Sequence, residues 1–219
     1  MDGHGPLVVQ SDRTLLLEVA HPDAEECRAA IAPFAELEKS PEHVHTFRLT
    51  ALSLWNARAA GFDAEQAIDA LLRWSRYEVP SALLADVAET MARYGRLVLD
   101  DGSGGDLELR AAFDVDAVVL EEVLHSDKVR DLVAGRIGAG AVIVPRSNRG
   151  RIKQALLRAG WPADDVAGYT EGAAHPVGLR CDGWGLRDYQ AAAVRGFVAA
   201  GSGVVVLPCG AGKTIVGTA

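Results

Sequence analysis

The spacing of apolar and polar positions divides the chain into predicted strands and helices. "TLLLEV" reads as a strand and "HVHTFRLT" alternates as a half-buried strand does, while Ala24, Cys27, Ile31 and Phe34 are spaced as one apolar face of a helix. The chain is therefore predicted to open with a mixed α/β segment.

Three helices and a hairpin are predicted after the second strand. Thr50 and Asp63 are suitable N-caps for the first two helices, and Pro80 begins the third. "RLVLD" and "LELR" flank the Gly-rich turn "DGSGG", which predicts a β-hairpin. A strand, three helices and a hairpin in this order predict a winged-helix-like part over residues 44–110.

Charge argues against DNA recognition by this part. Residues 1–111 carry 10 Lys and Arg against 19 Asp and Glu, and the third helix offers Asp86 and Glu89 against Arg93. Phosphates repel such a surface. We therefore predict a structural or protein-docking role for residues 44–110, with a protein partner on the acidic N-terminal domain.

Residues 112–183 alternate helix and strand signals and predict a small α/β region. "AVIVP" reads as a short buried strand, and Ser147 is predicted to cap the helix in "NRGRIKQALLRAG". No acidic residue occurs between Asp131 and Asp164. Residues 136–158 are therefore predicted to form either a DNA-facing surface or a solvated helix face, and their charge alone does not distinguish the two. The candidate DNA-binding residues are Arg146, Arg149, Arg151, Lys153 and Arg158.

The stretch "SGVVVLPCGAGKT" predicts a phosphate-binding loop. Its apolar run at 204–207 indicates a buried parallel strand, and the following G-x-G-K-T is a shortened form of the phosphate-loop pattern. Gly210, Ala211 and Gly212 would let backbone amides face a phosphate. Lys213 would reach the β- and γ-phosphates, and Thr214 would hold Mg²⁺ through its hydroxyl. Lys213 and Thr214 are thus the predicted catalytic residues, with ATP and Mg²⁺ as cofactors.

A second motif, "GWGLRDYQ", precedes this loop. It places Gln190 23 residues before Lys213 (213 − 190), with Arg187 in the same motif. A Gln amide can donate to and accept from the adenine edge at once. Arg187 and Gln190 are therefore predicted to complete the nucleotide site.

This pair of motifs resembles the start of a superfamily 2 helicase core, and the chain is similar to XPB-family helicases of the actinobacterial type. The resemblance rests on residues 42–97, on "GWPADDVAGYTEGAAHPVGL", on "WGLRDYQ" and on "GVVVLPCGAGKT". It implies a DNA-dependent ATPase that unwinds duplexes with three-prime to five-prime polarity in DNA repair. It also implies that residues 112–180 correspond to a damage-recognition region, which favours DNA contact by residues 136–158.

The resemblance further implies two motor domains, of which this chain holds only the first motifs. We expect the N-terminal portion of such a helicase, ending just after the Walker A motif and inactive by itself because the remaining catalytic groups are missing. Residues 1–183 are expected to fold independently, with the last thirty-six poorly packed. The alternative is a non-enzymatic DNA- and protein-binding module from a short gene. A small-molecule kinase fits poorly, since it needs a long chain after the loop.

Together these features predict an α+β chain in three parts. Residues 1–111 form an N-terminal domain with the winged-helix-like part, residues 112–183 a small α/β damage-recognition-like region, and residues 184–219 the truncated start of a RecA-like ATPase domain. The sequence has no run of 18 or more apolar residues and no secretory signal, which predicts a cytoplasmic protein without a membrane partner.

Overall fold

The computed structural model describes residues 5–169, 183–201 and 203–219. The chain divides into two compact units, Met1–Tyr169 and Thr170–Ala219. The part of the family resemblance that is carried by residues 170–182 lies outside the described residues.

The first unit begins with a four-stranded sheet. Its strands are β1 (Leu7–Val9), β2 (Thr14–Glu18), β3 (Glu36–Lys39) and β4 (Val44–Arg48), and helix α1 (Ala24–Ile31) connects β2 to β3. The sheet order is β1-β2-β4-β3, with each neighbouring pair antiparallel. The two strands predicted from the sequence in this segment are thus β2 and β4, and they pair directly.

Helices α2 (Ala51–Ala59), α3 (Ala64–Trp74) and α4 (Ser81–Ala92) follow. The predicted caps are confirmed: the Thr50 hydroxyl accepts from the N–H of Ser53 and the Asp63 carboxylate from the N–H of Gln66, each at 2.9 Å. The apolar faces of these helices share one buried core with the first sheet.

A second sheet of five strands completes this unit. Its strands are β5 (Leu97–Asp101), β6 (Leu107–Ala111), β7 (Gly135–Ile137), β8 (Ala141–Val144) and β9 (Ala163–Asp165), in the order β7-β8-β6-β5-β9. Neighbours are antiparallel except β9, which runs parallel to β5. Helices α5 (Ala117–Leu124), α6 (Asp127–Arg130) and α7 (Arg149–Ala159) pack on it. Helix α7 starts at Arg149, after a 3₁₀ turn at Arg146–Asn148, and not directly after Ser147 as predicted.

The winged-helix prediction is wrong, although its elements occur in the predicted order. The hairpin β5–β6 does not join the sheet of β4; it pairs instead with β8 and β9. Leu97, Leu99, Leu107 and Leu109 are buried in a second core that extends to Ala167. The hairpin motif alone does not fix which strands lie beside it, because each outer edge of a hairpin leaves N–H and C=O groups that any neighbouring strand can pair with. The three-domain division itself stays a prediction.

The second unit contains two helices in its described part, α8 (Asp188–Ala200) and α9 (Lys213–Thr218). The strand predicted at 204–207 is absent there, and Val204 and Val206 are 90% and 87% exposed. The described residues supply no neighbouring strand to pair with this backbone, and a strand needs such a partner for its N–H and C=O groups. Gln190 is the one buried residue in 183–201 and 203–219, in agreement with the prediction that this part packs poorly.

Candidate functional site

The predicted phosphate loop forms a tight turn that leads into α9. Gly210 and Gly212 have φ of 78° and 77°, a left-handed conformation that glycine adopts without steric penalty. A Cβ on Gly212 would lie 2.6 Å from Nε2 of Gln190, whereas one on Gly210 would meet nothing within 4 Å. Both glycines allow the left-handed backbone conformation. Gly212 in addition allows the side chain of Gln190 to approach the loop closely.

Lys213 and Thr214 stand at the start of α9, immediately after this turn. The Lys213 ammonium donates to the carbonyl oxygens of Leu207 and Pro208, at 2.8 and 3.1 Å. The backbone N–H groups of a first helical turn have no partner inside their own helix. The N–H groups of Ala211 and Ile215 already donate to the carbonyl oxygens of Pro208 and Gly212, so the loop offers a phosphate the Lys213 ammonium and the N–H groups of Lys213 and Thr214.

Gln190 connects the upstream motif to this loop. Its Oε1 accepts from the N–H of Arg187 and its Nε2 donates to the carbonyl oxygen of Ala211, both at 2.9 Å. Tyr189, which sequence reasoning missed, donates to the same carbonyl oxygen at 3.0 Å. Both ends of the Gln190 amide are therefore bonded to the chain itself. Its predicted contact with adenine stays a prediction; in this structure Gln190 is bonded to the loop at Ala211 that is predicted to bind phosphate.

The five candidate DNA-binding cations have two different environments. Arg149 is held most firmly: its guanidinium binds both carboxylate oxygens of Asp165, at 3.0 and 2.8 Å, and also donates to the carbonyl oxygens of Ala167 and Gly168. Its side chain is only 16% exposed, and that of Asp165 only 8%. Arg149 also stacks over the ring of Tyr169.

Lys153 and Arg146 are also bound to carboxylates. Lys153 donates to Asp165 at 2.7 Å, so that one carboxylate serves two cations. Arg146 pairs with Asp101 and donates to the carbonyl oxygen of Gly105 at 2.9 Å. The sequence did not identify Asp101 and Asp165 as partners of these cations, because both lie outside the segment between Asp131 and Asp164.

These contacts shift the carboxyl pKa values. For Asp165, burial raises the pKa, but the hydrogen bonds and charges of Arg149 and Lys153 outweigh it, so the pKa lies below its ordinary value. For Asp101, the hydrogen bond from Arg146 is the main reason that the pKa is lowered. Both carboxylates are therefore charged at neutral pH: Asp101 balances the charge of Arg146, and Asp165 offsets one of the two charges of Arg149 and Lys153.

Arg151 and Arg158 are exposed on the other face of α7. They line a groove of about 680 Å³ together with Lys128 of α6. The prediction from the sequence did not include Lys128, because this residue precedes the segment without acidic residues. The structure thus separates the predicted cationic set into three paired residues and two that are open to solvent.

Two further properties concern the described residues alone. None of their helices combines the length and the apolar character that crossing a bilayer requires. Within the same ranges, His, Cys, Asp and Glu side chains do not come together in any group of three or more that could hold a metal ion.

Comparison with known proteins gives matches along nearly the whole chain. Residues 7–138 match the family model described as "Helicase conserved C-terminal domain". Over 215 residues the chain is 64% identical to the "DNA 3'-5' helicase XPB" of Kineococcus radiotolerans and 60% identical to that of Mycobacterium tuberculosis. These alignments cover 98% of the chain but only 38% and 39% of the relatives.

A more distant relative has a different name. The "General transcription and DNA repair factor IIH helicase/translocase subunit XPB" of Antonospora locustae is 30% identical over 227 residues, which cover 97% of the chain and 32% of that relative. The chain therefore spans about two fifths, or less, of the length of these relatives.

Proposed function

This chain belongs to the helicase family described as "Helicase conserved C-terminal domain", and on that basis we propose that it is part of an ATP-dependent 3'-5' DNA helicase of the XPB family that acts in DNA repair. The identity of 64% over 98% of the chain supports this assignment. The observation that carries it is the loop in which Lys213 follows the left-handed Gly212, with Gln190 bonded to the same loop.

ATP with Mg²⁺ fits the donor set of this loop. Gly210 leaves open the space that a Cβ would fill, and the Lys213 ammonium is bonded to neutral carbonyl oxygens, which a phosphate can replace. Lys213 would hold the phosphates and Thr214 the metal, while Arg187 and Gln190 would lie on the nucleotide side of α8. Bound ATP would supply the phosphoanhydride bond whose hydrolysis drives movement along DNA.

We place the chain in the N-terminal portion of its parent because Gln190 and Lys213 resemble the first motifs of the motor. The description of the matched family as a C-terminal domain points the other way. Mass spectrometry of the protein isolated from its source organism, with peptides mapped on both sides of residues 1–219, decides between the two positions.

A substitution of Lys213 tests the helicase assignment. In the complete gene product, Lys213→Ala should abolish DNA-stimulated ATP hydrolysis and unwinding of a duplex with a three-prime tail, because the phosphate loop loses its cation. Lys39→Ala, an exposed Lys of β3, is the matched control and should keep both activities. Unwinding by the Lys213→Ala protein at the unmodified rate would refute the assignment.

For the 219-residue chain taken alone, we propose DNA and protein binding without ATP turnover. The backbone at 203–207, which has no strand beside it among the described residues, supports this second function, since a motor needs a complete sheet behind its phosphate loop. A protein partner would dock on the acidic residues of 1–111. Detectable DNA-stimulated ATP hydrolysis by this chain would exclude it.

A further inference from the structure

We propose that the groove between α6 and α7 is where this chain contacts the phosphate backbone of DNA, an inference that rests on the proposed function. Residues of α6, of the turn before α7 and of α7 itself line the groove. Its cations are Lys128, Arg151 and Arg158, and Asp131 is its single acid. The lining thus has an excess of two positive charges.

The three cations of the groove are free to bind a phosphate, whereas Arg149 and Lys153 are already bonded to a carboxylate. Lys128, Arg151 and Arg158 are exposed, and none of them forms an ion pair with a carboxylate in residues 5–169. The nearest polar contact of Arg151 is a long one, 3.5 Å to the neutral side chain of Asn148. Arg149 and Lys153 would first have to break their bonds to Asp165, which is largely shielded from water. Phosphate binding at the groove requires no such exchange.

The arrangement along α7 suits an extended polyanion. Arg151, Gln154 and Arg158 are three and four residues apart and share one face, while Ile152 and Leu156 are buried on the other. Seven residues of helix rise about 10 Å. Arg151 and Arg158 are therefore far enough apart along α7 to contact different phosphates of the same backbone. Gln154 and Ser147 add neutral polar groups of the kind that contact phosphate oxygens.

The lining favours a nucleic-acid backbone over an acidic protein surface. It contains no aromatic side chain, and its apolar members, Leu132 and Ala155, are buried beneath it. Protein interfaces draw most of their affinity from buried aromatic and other large anchors, which this groove lacks. Cations beside neutral polar groups, without an apolar anchor, give the sequence-independent and salt-dependent binding that is typical of phosphate contacts.

The test is a salt titration of DNA binding by the 219-residue chain. Binding of a labelled forked DNA would be followed by fluorescence anisotropy from 50 to 200 mM KCl, for the unmodified chain and for Arg151→Ala with Arg158→Ala. We expect the slope of log K against log salt to fall by about 1.8, and the affinity at 100 mM salt to fall at least about tenfold. Arg151→Lys with Arg158→Lys keeps both charges and should keep the slope.

The matched control removes the same charge elsewhere. Lys39 and Arg58 are exposed and lie on the half of the unit that carries the first sheet, so Lys39→Ala with Arg58→Ala should leave the slope unchanged. Circular dichroism of each variant checks that the fold is intact, which the exposure of all four side chains predicts.

Three results would overturn the proposal. One is an unchanged slope for the double Ala variant; another is an equal fall in the Lys39 and Arg58 control. The third is equal affinity for a polyglutamate peptide with the same dependence on Arg151 and Arg158, which would assign the groove to an acidic protein. None of them affects the Lys213 experiment on the complete gene product, so failure of the groove and failure of the helicase assignment can be distinguished.

Discussion

At the scale of single residues, Asp165 decides the role of two cations. It lies 16 residues from Arg149 and 12 from Lys153, beyond the segment without acidic residues, yet it binds both. A cation that is paired in a shielded site is a structural element, because releasing it exposes an uncompensated charge. Arg151, only two residues from Arg149, has no such partner among the described residues and is open to a ligand.

Asp165→Asn should destabilise the first unit by about 2–4 kcal/mol at pH 7, because Arg149 and Lys153 lose their shared charge. Urea unfolding followed by circular dichroism measures the change. Glu78→Gln, at an exposed acid without an ion pair in the described residues, is the control and should change stability by less than about 0.5 kcal/mol. Equal effects of the two substitutions would contradict the structural role of Asp165.

The stability loss caused by Asp165→Asn should depend on pH. The pKa of Asp165 in the folded protein is below its unfolded value of about 3.9, so its contribution is fully present above that value and is lost as the pH falls through the folded pKa. The stability difference between the unmodified chain and Asp165→Asn should therefore be constant from about pH 6 to 8 and shrink below about pH 4. A difference that grew on acidification would have the wrong sign for this ion pair.

At the scale of elements, the helices of residues 51–92 depend on local capping. Asp63 accepts from the N–H of Gln66, whose side chain in turn accepts from the N–H of Asp63, both at 2.9 Å. Each bond satisfies a donor that the helix itself leaves without a partner. Helix α3 is anchored in the core by Ala67, Leu71 and Trp74, so its start is held by the cap and its middle by packing.

Asp63→Ala should therefore lower the free energy of unfolding by about 1 kcal/mol, and Asp63→Asn should restore most of it, because Asn is an equally good cap. Chemical denaturation gives both values. Asp69→Ala, at an exposed position inside α3, is the matched control and should be neutral or slightly stabilising, since Ala is the better helix former. The same loss at both positions would exclude a specific capping effect.

At the scale of the whole molecule, both buried cores lie within residues 5–169. One combines the first sheet with α1 to α4, and the other combines the second sheet with α5 to α7. The Tyr94 hydroxyl donates to Asp164 at 2.9 Å, a contact that links the segment after α4 to β9. Burial of apolar surface is the main source of stability, and the described part of the second unit buries very little.

A chain that ends at Tyr169 should therefore keep the thermal unfolding midpoint of the 219-residue chain within about 2 °C. Differential scanning calorimetry of both proteins checks this. A protein that keeps residues 170–219 but carries Leu109→Ala is the comparison and should unfold at a clearly lower temperature, because Leu109 is fully buried in the second core. Loss of the transition on truncation would mean that residues after 169 contribute to the fold.

Much of the local structure follows from the sequence by itself. The three helices of residues 51–92, the caps Thr50 and Asp63, the hairpin β5–β6 and the left-handed turn at Gly210 and Gly212 were predictable because each depends on residues a few positions apart. Capping bonds, helical periodicity and glycine conformations are interactions of this short range. The turn at Gly210 and Gly212, which we propose binds phosphate, can therefore be predicted from the sequence.

Only the tertiary structure decided which strands share a sheet and which cations are free. The hairpin could have paired with β4, but its hydrogen bonds go to β8 and β9. Arg146 finds Asp101 at a separation of 45 residues, and Gln190 finds Ala211 at a separation of 21. Such pairings depend on how whole elements pack, because backbone hydrogen bonds and ion pairs act between neighbours in space. For this reason a local count of charges identified the basic segment but not the face of α7 that remains available to a ligand.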